Sequence, residues 1–281
     1  MGQRGWLSFS LILILMYSVL KKYKSIKSRS YNIRYWFSDK LFPLNQNDKK
    51  LKQFHNSHFN ERCFIIGNGP SLNKLDLTRL KNEYTFGVNA IYTNYERMGF
   101  YPTYYAVEDI YVAEDRSQEI NSYKHSVKFF PNYLKHCLVG DYKTIFINFV
   151  SNYGSKKFPG FSENAASKIY FGGTVSYVCL QLAYYMGFSK VYLIGFDHNY
   201  LIPKEALISG TEILSTSDDP NHFSPTYFGK GKRWHDPKVE RMELSYKKAK
   251  EVFEKDKRKI YNATAGGKLE VFERKDYNLL F

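Results

Sequence analysis

A turn rich in small residues follows the apolar run at residues 62–66, and it is the first candidate binding element of the sequence. It consists of Gly67, Asn68, Gly69, Pro70 and Ser71. Glycine permits positive φ and lets backbone N–H groups come close to a ligand, and proline fits the first turn of a helix. The turn therefore predicts a site for an anion or a nucleotide. It lacks the lysine of a Walker loop and departs from GxGxxG at Leu72, so a tight turn that binds nothing is the alternative.

Two further segments carry groups suited to a nucleotide. Asn89 follows the run at residues 84–88, and its amide offers a donor and an acceptor to a base or a ribose. A predicted helix start carries small and hydroxyl residues, namely Gly172, Gly173, Thr174 and Ser176. Free N–H groups and hydroxyls at such a start converge on a phosphate or a carboxylate. Turn formation by Asn89 and ordinary capping by Thr174 are the alternatives.

The candidate catalytic groups lie in the second half of the chain. Four polar side chains follow the run at residues 190–196, which is more than a turn requires: Asp197, His198, Asn199 and Tyr200. His235 precedes a long amphipathic pattern, with Asp236 and Pro237 as the expected capping and first-turn residues. Because histidine titrates near neutrality, His235 is the strongest general-base candidate, and a structural surface histidine is the alternative.

Metal binding is not expected from the motifs. The sequence contains no HExxH, no cysteine cluster and no DxD pair after a strand. The carboxylate doublets Glu108-Asp109 and Asp218-Asp219 are the nearest candidates for metal ligands, but they are equally consistent with solvated loops.

These segments follow short apolar runs that alternate with helical patterns. The runs cover residues 62–66, 84–88, 104–107, 127–130, 144–148, 190–196 and 259–262. The clearest helix is TVSYVCLQLAYYMG, which ends at the C-cap candidate Gly187 and leads into the next run after two residues. This order predicts an α/β fold whose mainly parallel sheet has helices on both faces. Ligands bind beyond the carboxyl ends of such strands, where the candidate segments lie.

The N-terminal region differs in composition from the rest. Residues 1–60 contain 11 Lys/Arg and 2 Asp/Glu, out of a net charge of +14 for 281 residues. This distribution favours an anionic membrane surface over nucleic acid as the partner. The apolar run Trp6–Leu20 would span about 22 Å as a helix, against a hydrocarbon core of roughly 30 Å. Residues 1–22 are predicted to be a membrane anchor helix, with a signal peptide or an interfacial helix as alternatives.

The basic residues after this run predict the location of the main domain. By the positive-inside rule they lie on the cytoplasmic side of the inner membrane, and residues 61–281 with them. Residues 23–60 are predicted to be a basic linker that docks on the domain formed by residues 61–281. The cysteines Cys63, Cys137 and Cys179 lack metal spacing, so buried free thiols in a reducing compartment are expected.

Five segments in order resemble a known family: IIGNGPSL, FGVNAIY, GGTVSYVCLQLAYYMGFSKVYLIGFDHNY, HDPKVERMELSYKKAKE and YNATAGGKLEVFER. They resemble the domain shared by family 42 CMP-sialic-acid sialyltransferases and archaeal 6-hydroxymethylpterin diphosphokinase-like proteins. The resemblance covers roughly residues 61–281. Its sialyltransferase branch implies a single Rossmann-like domain, a variant of the GT-A type, with a partly mobile lid and no metal requirement.

The resemblance also implies residue roles. Nucleotide contacts fall on Asn68 with its glycine neighbours and on Asn89, and Thr174 and Ser176 fall near the residues that hold the donor's carboxylate and phosphate. Asp197 matches the aspartate that ends a G-[IF]-D strand, and His235 matches the catalytic base. The family's leaving-group tyrosine is replaced by Asn199, so Tyr200 or Tyr227 would have to substitute.

The expected function is therefore glycosyl transfer at a membrane. A CMP-activated, sialic-acid-like sugar is the expected donor, and a glycan or glycolipid of the cell surface, as in lipopolysaccharide or capsule biosynthesis, is the expected acceptor. His235 would deprotonate the acceptor hydroxyl for an inverting displacement without a metal cofactor. Two alternatives remain open: an ATP-dependent diphosphokinase with Asp197 and Glu108 or Asp109 as Mg²⁺ ligands, and a non-catalytic sugar-nucleotide-binding protein.

Overall fold

The computed structural model describes residues 46–281. The predicted anchor over residues 1–22 and residues 23–45 of the predicted linker lie outside this part. Within residues 46–281, no helix has both the length and the apolar character needed to cross a bilayer.

A parallel sheet organises the described part of the chain. Its strands and those of two smaller sheets are, in chain order, Arg62–Ile66 (β1), Tyr84–Val88 (β2), Tyr104–Ala106 (β3), Val127–Pro131 (β4), Thr144–Ile147 (β5), Phe149–Val150 (β6), Ile169–Tyr170 (β7), Lys190–Ile194 (β8), Leu207–Ser209 (β9), Glu212–Leu214 (β10), Arg233–His235 (β11), Lys259–Asn262 (β12) and Glu273–Arg274 (β13). The large sheet has the order β13-β12-β8-β1-β2-β3-β4-β5. All its neighbouring pairs are parallel, which confirms the predicted mainly parallel α/β fold.

Helices lie along both faces of this sheet. The α-helices are Gln46–Lys52 (α1), Tyr95–Met98 (α2), Ile110–Asp115 (α3), Ser117–Ser122 (α4), Val175–Met186 (α5) and Val239–Lys255 (α6). Alternate residues of β1 enter different cores, so that Cys63 packs with α5 and α6 while Phe64 packs with α3. Every residue of α5 is buried, and Gly187 ends it with a φ of 93°, as the sequence predicts. Strands buried on both faces explain the continuous apolar runs.

The predicted strands match the observed ones closely, and the mismatches occur at their carboxyl ends. The run at residues 190–196 ends as a strand at Ile194, because Gly195 turns the chain with a φ of 72°. The short strands β6, β7 and β9–β11 were not predicted, since each has only two or three residues.

Residues 46–60 pack against the main sheet. Leu51 of α1 is buried, and the Phe54 ring meets those of Tyr104 and Phe129 edge to face. The Asn56 and His58 N–H groups donate to carbonyls at the end of α5. This part of the predicted linker is therefore integral to the folded unit.

The segment between β8 and α6 forms a cap at the carboxyl edge of the sheet. It contains the three-stranded antiparallel sheet β9–β11. Arg233 of β11 pairs with Asp115 at 2.5 Å and with Glu114 at 3.1 Å, both at the end of α3. The Phe223 N–H donates to the carbonyl of Asn68 at 2.8 Å. These contacts connect the cap to α3 and to the turn after β1.

Candidate active site

The topology of the sheet places a cleft at the carboxyl ends of β1 and β8. The chain leaves β1 for β2 on one side, and β8 later adds to the opposite side, so the loops after β1 and β8 diverge there. Such a switch point is where open α/β sheets bind ligands. The cleft has about 590 Å³ of empty volume, counting the part open to solvent. Its lining comprises Asn68, Gly69, Val88, Asn89, Thr174, Val175, Gly195, Phe196, Asp197, His198, Asn199, Tyr200, Asn221, His222 and Tyr246.

The glycine turn at residues 67–71 uses its N–H groups inside the protein. The N–H groups of Gly67 and Gly69 donate to Ile194 and Gly195 carbonyls at 2.8 and 2.9 Å. Neither glycine has positive φ; a Cβ on Gly67 would come 2.5 Å from the Gly195 oxygen. The expected positive φ and the expected cradle of free N–H groups are therefore wrong. Glycine is needed here because the turn and the end of β8 are in close contact.

Asp197 holds the two loops together. Its carboxylate accepts the Ser71 hydroxyl at 2.6 Å and the Ser71 N–H at 3.2 Å. A Cβ on Gly69 would overlap this carboxylate. Asp197 thus lies in the predicted cleft, but its contacts are those of a residue that positions the turn. Pro70 begins a short 3₁₀ segment, as the sequence suggests.

Two asparagines leave side-chain oxygens without partners at this cleft. The Asn68 amide donates to the Val88 carbonyl at 3.1 Å, but its Oδ1 is buried and accepts nothing from the described residues. Asn89 has a φ of 50° and a buried, equally unpartnered Oδ1. Buried polar atoms in folded proteins almost always have partners. Both oxygens are therefore acceptors without a partner among residues 46–281.

The start of α5 contributes Thr174 to the cleft and keeps Ser176 inside the protein. The Thr174 hydroxyl lies 2.9 Å from the Ser176 hydroxyl, which lies 2.7 Å from the Tyr246 hydroxyl. Ser176 is fully buried. Gly172 packs against the Tyr177 ring, and Gly173 turns the chain with a φ of 79°. Thr174 is thus the member of this predicted group that lines the cleft.

The loop after β8 brings polar groups to the opposite wall. Asn199 and Tyr200 line the cleft, and burial raises the pKa of the Tyr200 hydroxyl. Burial lowers the pKa of His198, whose Nε2 is 3.4 Å from Glu243. Tyr227 is buried, and its hydroxyl accepts the Ala90 N–H at 3.3 Å. Of the two tyrosines considered for leaving-group contact, Tyr200 is the one at the cleft.

His235 lies outside the residues that line this cleft. It ends β11 instead of preceding a helix directly, and α6 begins at Val239 after the N-cap Lys238. The expected cap by Asp236 is wrong, because its carboxylate pairs with the Lys238 ammonium. The Nδ1 of His235 is 2.8 Å from Asp109 Oδ2, in the loop after β3. The glycine turn follows β1 and Asp109 follows β3, so His235 and the turn both lie at the carboxyl edge of the large sheet, with β2 between β1 and β3.

The loop after β3 forms an acidic setting for His235. Asp109 caps α3 by accepting the Tyr111 N–H at 2.7 Å, and the Tyr111 ring stacks on the imidazole. Burial lowers the pKa of His235, but the hydrogen bond and charge of Asp109, together with Glu108, outweigh it and raise the pKa above 6.5. Burial, and then the charge of Asp109, raise the pKa of Glu108 to about 7.

The sequence analysis did not predict the role of this loop. It treated Glu108-Asp109 only as possible metal ligands or as part of a solvated loop. Its position directly after an apolar run was the signal for a functional role. Arg241, in the first turn of α6, was not singled out at all. Within residues 46–281, no group of three His, Cys, Asp or Glu side chains is placed to hold a metal ion.

Comparison with known proteins gives one family. The family model described as 6-hydroxymethylpterin diphosphokinase MptE-like matches residues 39–202, more than half of the 281-residue chain. The match includes the glycine turn, Asn89, the start of α5 and the loop after β8, and it ends before His235. Comparison with curated proteins gives no match.

Proposed function

Because the chain belongs to the 6-hydroxymethylpterin diphosphokinase MptE-like family, we propose that it is a transferase that acts on a nucleotide-activated substrate. The specific reaction we propose is glycosyl transfer at a membrane. A CMP-activated, sialic-acid-like sugar is the donor, and a hydroxyl of a cell-surface glycan or glycolipid is the acceptor. The transfer inverts the anomeric centre and uses no metal.

The two unpartnered oxygens on Asn68 and Asn89 carry this proposal. A nucleotide offers hydrogen-bond donors at its base amino group and its ribose hydroxyls, which match buried acceptors. Because both oxygens are already buried without a partner, a ligand that donates to them would recover about 1–3 kcal/mol each.

The pair of His235 and Asp109 supports a base-assisted step. The hydrogen bond to Asp109 occupies Nδ1, which leaves Nε2 to take the proton of an acceptor hydroxyl. The hydroxyl oxygen then bonds to the anomeric carbon, and the bond from that carbon to the phosphate oxygen breaks. CMP leaves with the electron pair, and in this proposal Tyr200, which lines the cleft, donates a hydrogen bond to its phosphate. A general base of this kind contributes about 10²–10⁴-fold.

The second candidate function is transfer of a diphosphate from ATP to a pterin alcohol, and the description of the family favours it. This reaction would need carboxylates for Mg²⁺. Asp197 already accepts Ser71, and Asp109 already contacts His235 and the start of α3. Two of the three carboxylates weighed for that role, Asp197 and Asp109, thus have other partners. A non-catalytic nucleotide-binding protein is the third candidate, favoured by the position of His235 beyond the cleft lining.

One assay separates the three candidates. The full chain in detergent is incubated with a CMP-activated nonulosonic acid, and separately with ATP and a pterin alcohol, each with and without EDTA. We expect CMP release that EDTA leaves unchanged, that His235→Ala abolishes, and that the exposed-site control His125→Ala retains. EDTA-sensitive AMP release would instead establish the diphosphokinase. If neither nucleotide is consumed but CMP still binds, the binding-protein alternative is correct.

A further inference from the structure

Arg241 carries a buried donor without a partner near the proposed base. It is the third residue of α6, and its guanidinium carbon lies 5.1 Å from the Tyr153 ring centre and 5.2 Å from that of Phe171. Its Nε is buried and has no hydrogen-bond partner in the described part of the chain. The guanidinium carries a positive charge, and its Nε–H is a donor that lacks an acceptor among residues 46–281.

The surroundings of Arg241 hold the guanidinium in place. Gly173 has a φ of 79°, and a Cβ there would come 2.6 Å from Arg241 Nε. The side chain therefore packs against bare backbone, with the rings of Tyr153 and Phe171 close by. Aromatic contacts orient a guanidinium but accept no N–H···O hydrogen bond. A rigid, incompletely paired fork of this kind is suited to a carboxylate or a phosphate.

The local electrostatics place Arg241 beside the candidate catalytic groups. Its positive charge acts to lower the pKa of both Glu108 and His235, so it lies within electrostatic range of each. The residue after Gly173 is Thr174, which lines the cleft and precedes α5. The start of a helix adds a partial positive charge to the same place. Arg241 is thus next to Gly173, one residue before the cleft-lining Thr174, and within electrostatic range of His235.

We propose that Arg241 binds an anionic oxygen group of the substrate, beside Gly173 and the start of α5. The inference rests on the proposed function, because the proposed donor offers two such groups: the phosphate of CMP and the carboxylate of a 2-keto acid sugar. Arg241 then fixes the donor so that the anomeric carbon is presented to the acceptor hydroxyl at His235. Arg241 lies beyond the family match, which ends at residue 202, and the sequence analysis assigned no role to it.

Equilibrium binding to the full chain tests the proposal and identifies the group. The probes are CMP and a CMP-activated nonulosonic acid, and the variants are Arg241→Met and Arg241→Lys. Lys247→Met, at an exposed position of the same helix, is the control for loss of one positive charge. If Arg241 binds the phosphate, Arg241→Met weakens both probes by about 10–100-fold; if it binds the carboxylate, only the CMP-sugar is weakened. Arg241→Lys is intermediate, because lysine keeps the charge but loses the planar fork.

The proposal is overturned if Arg241→Met binds both probes as the wild type does, if Lys247→Met weakens binding equally, or if the wild type binds neither probe. Melting temperatures without ligand show whether each variant is folded. Transfer to an acceptor is measured in a separate assay, so that failure of the Arg241 proposal can be distinguished from failure of the proposed glycosyl transfer. If binding depends on Arg241 but no transfer is detected, the proposed anion site at Arg241 is supported and the proposed glycosyltransferase activity is wrong.

Discussion

The hydrogen bond between His235 and Asp109 joins the cap to the loop after β3. The carboxylate both fixes the ring and raises its pKa, so the pair has a pH dependence of known sign. At pH values below its raised pKa the imidazole is protonated, and it does not act as a base. Transfer should therefore increase with pH through a midpoint above 6.5.

Asp109→Asn tests this pair. The amide keeps an acceptor for Nδ1 but removes the negative charge, so the pKa of His235 falls and the midpoint of kcat/KM should move down by about one pH unit. The maximal rate should fall by about 10–100-fold, since the imidazolium is no longer stabilised. The measurement is the pH profile of CMP release, with Asp218→Asn at an exposed position as the control. An unchanged profile would show that a group other than His235 titrates.

At the scale of elements, the contact between the turn after β1 and the loop after β8 forms the floor of the cleft. Two backbone N–H groups of the turn donate to carbonyls at the end of β8, and Ser71 donates to Asp197. The loops are thus linked before any ligand arrives. Hydrogen bonds to a partly buried carboxylate are worth about 1.5–3 kcal/mol, more than neutral ones.

A double-mutant cycle of Ser71→Ala and Asp197→Asn measures this link. Each change should lower the free energy of unfolding by about 1–3 kcal/mol, and the pair should lose less than the sum of the two. Urea denaturation gives the values. The matched control is Asp76→Asn with Thr78→Ala, an exposed pair with a 2.6 Å hydroxyl contact, for which a smaller coupling energy is expected because solvent screens the contact. Equal coupling energies in the two cycles would contradict a special role for Asp197.

The elements also show where the sequence was informative. Strands β1, β2 and β12 have the predicted bounds, because a strand buried on both faces is a continuous apolar run. The three residues of β11 carry no such pattern, so His235 was predicted at a helix start from the Asp-Pro that follows it. Its pairing with Asp109 joins distant parts of the chain, and no local pattern reveals it.

The sequence also predicted part of the candidate site. The sequence predicted a site beyond the carboxyl ends of the strands, and it indicated Asn68 and Asn89 because they follow β1 and β2 within two residues. The use of the turn's N–H groups was not predictable, since it depends on how closely β8 approaches β1. Arg241 was missed because an arginine on an amphipathic helix is ordinary in sequence, and only the unpartnered Nε distinguishes it.

At the scale of the whole molecule, we propose that residues 1–22 attach the chain to the inner membrane with the sheet in the cytoplasm. Removing residues 1–22 should move the protein from the membrane pellet to the soluble fraction, because the apolar run supplies the affinity. Sedimentation after a high-salt wash, with immunoblotting, measures this. A full-length control with Lys21, Lys22, Lys24 and Lys27 changed to Gln should still sediment. A truncated protein that stays in the pellet would place the membrane contact elsewhere.

The order of the central sheet also affects how the protein is made. Strand β2 follows β1 closely in the chain, whereas β8 comes much later, so the edge of β1 on which Arg62 pairs with Lys190 has no partner strand until β8 has been synthesised. During that interval the nascent chain exposes an apolar strand edge, which favours wrong pairing. We therefore expect chaperones to be most important for this protein while translation proceeds from β2 to β8.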